Sequence, residues 1–169
     1  MSQTSSESQS LITPTFVFAW LVNFAQFTVF YLLVTIMALY AVEQFQASDT
    51  AGGFASSAFV VGATIARLFS GYIVDAVGRK RSLVVSLIVV TVAMALYFPA
   101  QSLPLLFAVR ILHGFGYAVA STAVMAVAQS VIPDHRRAEG TGYFALGTTL
   151  ATAFGPAAGL AIVHNAGYN

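Results

Sequence analysis

Two arginines, Arg67 and Arg110, fall inside long apolar runs of the chain. A guanidinium at membrane depth is costly unless it faces a bundle interior or aqueous cavity, or its long stem carries the charge back to the interface. Arg110 stands about six residues into its run, roughly 9 Å deep at 1.5 Å per residue. His113, Gly114 and Gly116 follow it closely. For Arg67, about two turns before Asp75, two readings stand open: snorkelling, or an anion contact in a cavity. The first apolar run adds Asn23 and Gln26, with Phe30 and Val34 on nearly the same helical face and Tyr31 and Thr35 on an adjacent one. Mid-membrane polar groups serve a substrate cavity or interhelical hydrogen bonds. Asn23, Gln26, Tyr31 and Arg67 are therefore the candidates for lining such a cavity.

Composition decides what elements hold these residues. Of 169 residues, 58% are hydrophobic and 8% charged, with a mean hydropathy of +0.82. Soluble domains carry about a quarter charged residues, so this chain belongs in lipid. The net charge of +1 gives no argument for nucleic acid, and the absence of cysteine removes disulfides and thiolate metal sites. The polar segment Met1 to Ser10 reads as a disordered cytoplasmic tail, with residues 1–13 outside the bundle. It carries no Lys or Arg, and the following apolar run is too long for a signal peptide, so it leads into a membrane anchor.

A spanning helix needs about 20 mostly apolar residues. Five runs qualify or come close, at about 16–41, 51–76, 82–98, 105–132 and 139–163, predicting an all-α, polytopic membrane helix bundle. Ser48 and Asp49 are candidate N-caps for the second run. The third is short and ends at Pro99. In the second, Ala55, Ala58, Gly62, Ala66 and Ser70 form a close-packing stripe. The remaining five of seven cations, Arg79, Lys80, Arg81, Arg136 and Arg137, lie after the second and fourth runs, and none lies after the first and third. The positive-inside rule then puts the N-terminus in the cytoplasm and, after five spans, the C-terminus outside.

Between the second and third runs lies Gly71-Tyr-Ile-Val-Asp75-Ala-Val-Gly78-Arg79-Lys80-Arg81. Gly78 is a helix stop; Asp75 could pair with Arg79 or cap the amides of a neighbouring helix. The stretch resembles the cytoplasmic loop signature of the major facilitator superfamily, G-x-x-x-D-[RK]-x-G-[RK]-[RK]-[RK]. Gly71, Asp75, Gly78, Arg79, Lys80 and Arg81 match, and Ala76 departs from it. Leu106-x-x-x-Arg110-x-x-His113-Gly114-x-Gly116 is similar to the superfamily's fourth-helix motif, with His113 in place of the usual Gln. The resemblance implies a cavity-facing Arg110 involved in proton coupling; for His113 a hydrogen-bonding role is expected first. In the fifth run, Gly142, Gly155, Pro156 and Gly159 match the antiporter signature G-x8-G-x3-G-P-x2-G-G, whereas Ala151 and Leu160 replace glycine. Pro156 removes a helix hydrogen bond, and small residues permit close helix approach.

The resemblance covers about residues 16–163 and implies the first five helices of a transporter that usually has twelve, in two halves that rock about a midplane cavity. The expectation is a fragment of a proton-coupled exporter of small molecules in the plasma membrane. It would need no cofactor beyond the proton gradient, and its partners would be the bilayer, the substrate and the missing second half or a partner chain. Asp75 with Arg79 would form an inner gate. The alternative is a non-transporting subunit or scaffold, or a half-transporter that needs a partner chain. No enzyme is expected: the basic stretch lacks the Gly-Lys-Ser/Thr end of a phosphate loop. His113, His135 and His164 are too scattered for a metal site, and Ser121 lacks a protease context.

Overall fold

The computed structural model describes residues 10–167; most of the polar tail expected at the N-terminus lies outside the described residues. Five α-helices follow one another: α1 Pro14–Phe45, α2 Asp49–Val77, α3 Arg79–Ala95, α4 Leu103–Gln129 and α5 Arg137–Ala166, the last preceded by a 3-10 turn at Asp134–Arg136. No strand occurs among the described residues. Four helices are long and apolar enough to cross a membrane; α3, at 17 residues, falls short.

Local chemistry sets the boundaries. Thr13 caps α1 by accepting from the Phe16 amide at 3.1 Å, with Pro14 at the first helical position. Of the two candidate caps for α2, Ser48 does the capping, accepting from the Ala51 amide, while Asp49 occupies the first turn. Gly78 alone joins α2 to α3. Its φ of 94° and ψ of 141° suit glycine, and it ends one helix and opens the next. The basic run is therefore the first turn of α3 and not a loop, because a one-residue reversal leaves no chain to form one. The third helix accordingly starts and stops three residues earlier than the expected 82–98.

The helices alternate in direction. Ser56 Oγ donates to the Val34 carbonyl and Gly52 lies against Ala38 and Val42, so α2 runs antiparallel to α1. Ser70 and Thr122 are 3.0 Å apart, with Arg110 bonded to Ala55 further along, so α2 and α4 run parallel. Asn23 meets Thr148, and Gly155 approaches Tyr31, so α1 and α5 run parallel too. The five cations outside the spans consequently gather at one end, with the start of α1.

Helix α4 is the axis. Its residues enter each of three apolar clusters: Ala123, Val124 and Val127 beside Phe16 and Phe144, Tyr117 beside Phe59 and Val90, and Leu106 beside Ile36, Met37 and Ala55. The small-residue stripe of α2 is buried in full. Where α2 and α4 cross, Gly62 lies against the Ile111 backbone and Gly114 against the Phe59 backbone, so an added methyl at either would overlap a carbonyl. Gly116 meets Val89 and Val90 of α3 instead. One motif thus lets α4 fit between two neighbours. Outward, α3 presents Val84, Val85, Ile88 and Val92, the surface expected of a helix in lipid.

Gly114→Ala should lower stability by about 1–3 kcal/mol, the usual cost of overpacking. Gly142 has open space around its Cα, so Gly142→Ala should be neutral or stabilise by up to about 1 kcal/mol through helix propensity. Thermal unfolding of the two variants in detergent checks this; equal midpoints would refute the packing account.

Candidate functional site

Arg110 is wholly buried. Its Nε donates to the Ala55 carbonyl at 3.0 Å and one terminal nitrogen to the Ser56 carbonyl at 2.8 Å. Its carbon centre lies 5.2 Å from the Phe59 ring centroid, a cation–π contact worth about 0.5–2 kcal/mol. The remaining terminal nitrogen is buried without a protein partner among the described residues. The guanidinium is therefore turned into the α2–α4 interface, and it does not snorkel. One turn on, His113 packs edge-on against Phe59 at 5.1 Å, and its Nδ1 is 3.2 Å from the Tyr97 hydroxyl. That geometry is the hydrogen-bonding arrangement expected of a residue standing in for glutamine.

Asp75, Arg79, Lys80 and Arg81 are all exposed. Asp75 and Arg79 form no ion pair among the described residues, whose two salt bridges are Arg136–Glu139 and Arg137–Asp134. The spacing of four suggests a shared helix face, but the Gly78 break puts the two residues on different helices. Nor does Asp75 cap α3, whose first turn receives no side-chain hydrogen bond. The two side chains instead border one cleft with Gln129, Asp134 and Arg137, at the cationic end of the bundle. Gly71 has nothing near its Cα.

Helix α5 rests on α1 along a stripe of small residues. Gly155 lies against Tyr31 and the Thr28 carbonyl, Gly159 against Leu32 and Ile36, and Gly147 against Trp20 and Asn23. Ala151, wholly buried, completes the four-residue period. Gly147 was not among the residues singled out from sequence; its spacing of four from Ala151 was the available signal. Pro156 sits inside a continuous helix, where it leaves the Thr152 carbonyl without its usual amide.

A polar pocket opens where α1, α2, α4 and α5 meet. Asn23, Arg67, Ser121, Thr122 and Thr148 line it, with Phe27, Met125 and Phe144 as apolar wall. Asn23 donates to the Thr148 hydroxyl at 3.1 Å. Two of the four residues read from sequence as cavity candidates, Asn23 and Arg67, share this pocket. Gln26 is buried one turn from Asn23, with both ends of its amide unpartnered among the described residues. Tyr31 lies by Phe27 and Phe30, with ring centroids at 6.3 and 5.0 Å. Thr122 and Thr148 give no signal in the sequence, since hydroxyl residues are common in membrane helices and carry no spacing pattern, and Ser121 stands out there only as a serine without a protease context.

The carbonyls that hold Arg110 already serve helix amides, so removing the guanidinium orphans nothing. Its two charge-assisted hydrogen bonds, about 1.5–3 kcal/mol each, are set against several kcal/mol for burying an unpaired charge. Arg110→Met should therefore leave the unfolding midpoint unchanged or raised. A fall exceeding that of Gly114→Ala would show that the arginine is there for stability.

No curated protein matches the chain. Residues 19–169 match the family model of the Major Facilitator Superfamily, most of the chain's length. Together with the alternating bundle of long apolar helices, this makes it a multi-pass membrane protein of transporter type, and the chain belongs to the major facilitator superfamily.

Proposed function

We propose that the chain forms the first five helices of a proton-coupled exporter of small molecules, seated in the plasma membrane with its N-terminus in the cytoplasm. The observation that carries this reading is the pocket shared by four helices, mainly apolar but carrying Asn23, Arg67, Ser121, Thr122 and Thr148, all within helices long and apolar enough to cross a membrane. Binding sites between bundle helices have this composition. Gathering five cations at one end of the bundle supports that end as cytoplasmic. The proton gradient is the driving force and no cofactor is required. The open side of the pocket meets a second half, which completes the cavity and rocks against this one.

Within this reading Arg110 serves coupling through α2. It grips two consecutive carbonyls of that helix, so a change in its hydration or partners bears on how α2 and α4 pack. Gly155 and Gly159 let α5 ride close on α1, and Pro156 gives it a place to bend. Asp75 and Arg79 belong to the inner gate, where they meet the second half.

Proteoliposomes made from the protein at its native length, loaded with a pH-sensitive dye, provide the test. Aromatic anions, neutral compounds and cations are added in turn under an imposed proton gradient. At least one class should drive proton movement, and Arg110→Met should reduce it more than tenfold. Silence with every class, alongside intact folding, would sink the transport reading. A tag before Met1 should further report, by immunoblot of membranes, a species more than twice the 17.8 kDa of this chain; a stable product near 17.8 kDa would instead favour a five-helix subunit with a partner chain.

A further inference from the structure

We propose that Arg67 makes the four-helix pocket an anion-selecting site, so that the transported molecule is an organic carboxylate with a compact apolar or aromatic body. This rests on the pocket being the substrate cavity, the reading given above, and adds the class of molecule that fills it.

Arg67 lies ten residues before the end of α2 at Val77, about 15 Å along the axis. Arg67 is also only four residues past the centre of the 29-residue α2, about 6 Å, so a helix centred on a hydrocarbon core about 30 Å thick holds the charge inside that core. There a guanidinium is costly unless it faces a cavity or an opposite charge. Arg67 is exposed, and its guanidinium makes no hydrogen bond or ion pair among the described residues. The described carboxylates cannot serve it: Glu43, Asp49, Asp75, Asp134 and Glu139 all lie at or near helix ends. The nearest along α2, Asp75, is eight residues away, about 12 Å.

What surrounds Arg67 is suited to a bound anion. Among the described residues it is the only charged one lining the pocket. The hydroxyls of Ser121, Thr122 and Thr148 and the amide of Asn23 stand around the same space, and Asn23 is held in place by its bond to Thr148. A guanidinium offers two parallel N–H groups that match the two oxygens of a carboxylate. The apolar wall of Phe27, Met125 and Phe144 then receives the rest of the molecule. The cavity holds about 350 Å³, at the small end of the range for ligand sites, which suits a body no larger than one or two rings.

The test uses 4-fluorobenzoate, 4-fluorobenzamide and 4-fluorobenzylamine, three probes of like shape and different charge, with the native-length protein in lipid nanodiscs. Fluorine NMR line broadening gives the affinities even when they are weak. Expected is at least tenfold tighter binding of 4-fluorobenzoate than of 4-fluorobenzamide, with 4-fluorobenzylamine weakest. Arg67→Gln should bring benzoate and benzamide to within about twofold, and Arg67→Lys should keep part of the preference. Equal affinities in the unaltered protein overturn the anion assignment and leave the transport reading standing, as they would if Arg67 only reached for the interface. A preference that survives Arg67→Gln, together with a lowered unfolding midpoint, overturns it by showing that Arg67 meets a protein carboxylate. No saturable broadening with any probe overturns the site, and with it the assignment of this pocket as the substrate cavity.

Discussion

The bundle depends on how closely α2 and α4 approach. In lipid, helix association gains little from the hydrophobic effect, and van der Waals packing between backbones carries more of the load. Gly62 and Gly114 make that packing available by removing the two side chains that would hold the helices apart. Everything else in the interior is arranged about this crossing. The buried stripe of α2 continues it on both sides, Arg110 reaches across it to Ala55 and Ser56, and Phe59 supplies the ring on which both Arg110 and His113 rest.

Much of the architecture was legible because lipid allows so few solutions. With no water to satisfy the backbone, apolar runs of spanning length must be helices; Gly78 marks the end of α2, whereas α3 and α4 stop four residues short of Pro99 and Pro133. The stripe of small residues in α2 announced a packing face that is indeed buried. Less could be read about pairs. Nothing in the spacing of Asp75 and Arg79 reveals that a single glycine turns them onto different helices. Arg110 was legible as a charge in need of a partner, but backbone carbonyls leave no mark in a sequence, so Ala55 and Ser56 were invisible. The same holds for Thr148, whose role follows only from the register of α5 on α1.

The two membrane arginines show how environment separates identical side chains. Arg110 gives two of its five donors to α2 and lies out of contact with solvent. Arg67 keeps its guanidinium free at the edge of a hydroxyl-lined space. A buried, bonded cation ties two helices together, whereas an exposed one bordering a pocket leaves its donors open.

Gly78 has a mechanical consequence as well as a geometric one. A link of one residue has no slack, so α2 cannot slide along its axis or tilt without drawing the first turn of α3 with it. That turn carries Arg79, Lys80 and Arg81, which lie exposed at the cationic end of the bundle. The pair behaves as a bent lever whose elbow is Gly78. Movement imposed on α2 deep in the bundle is thereby delivered to the surface as a rotation of its most highly charged segment.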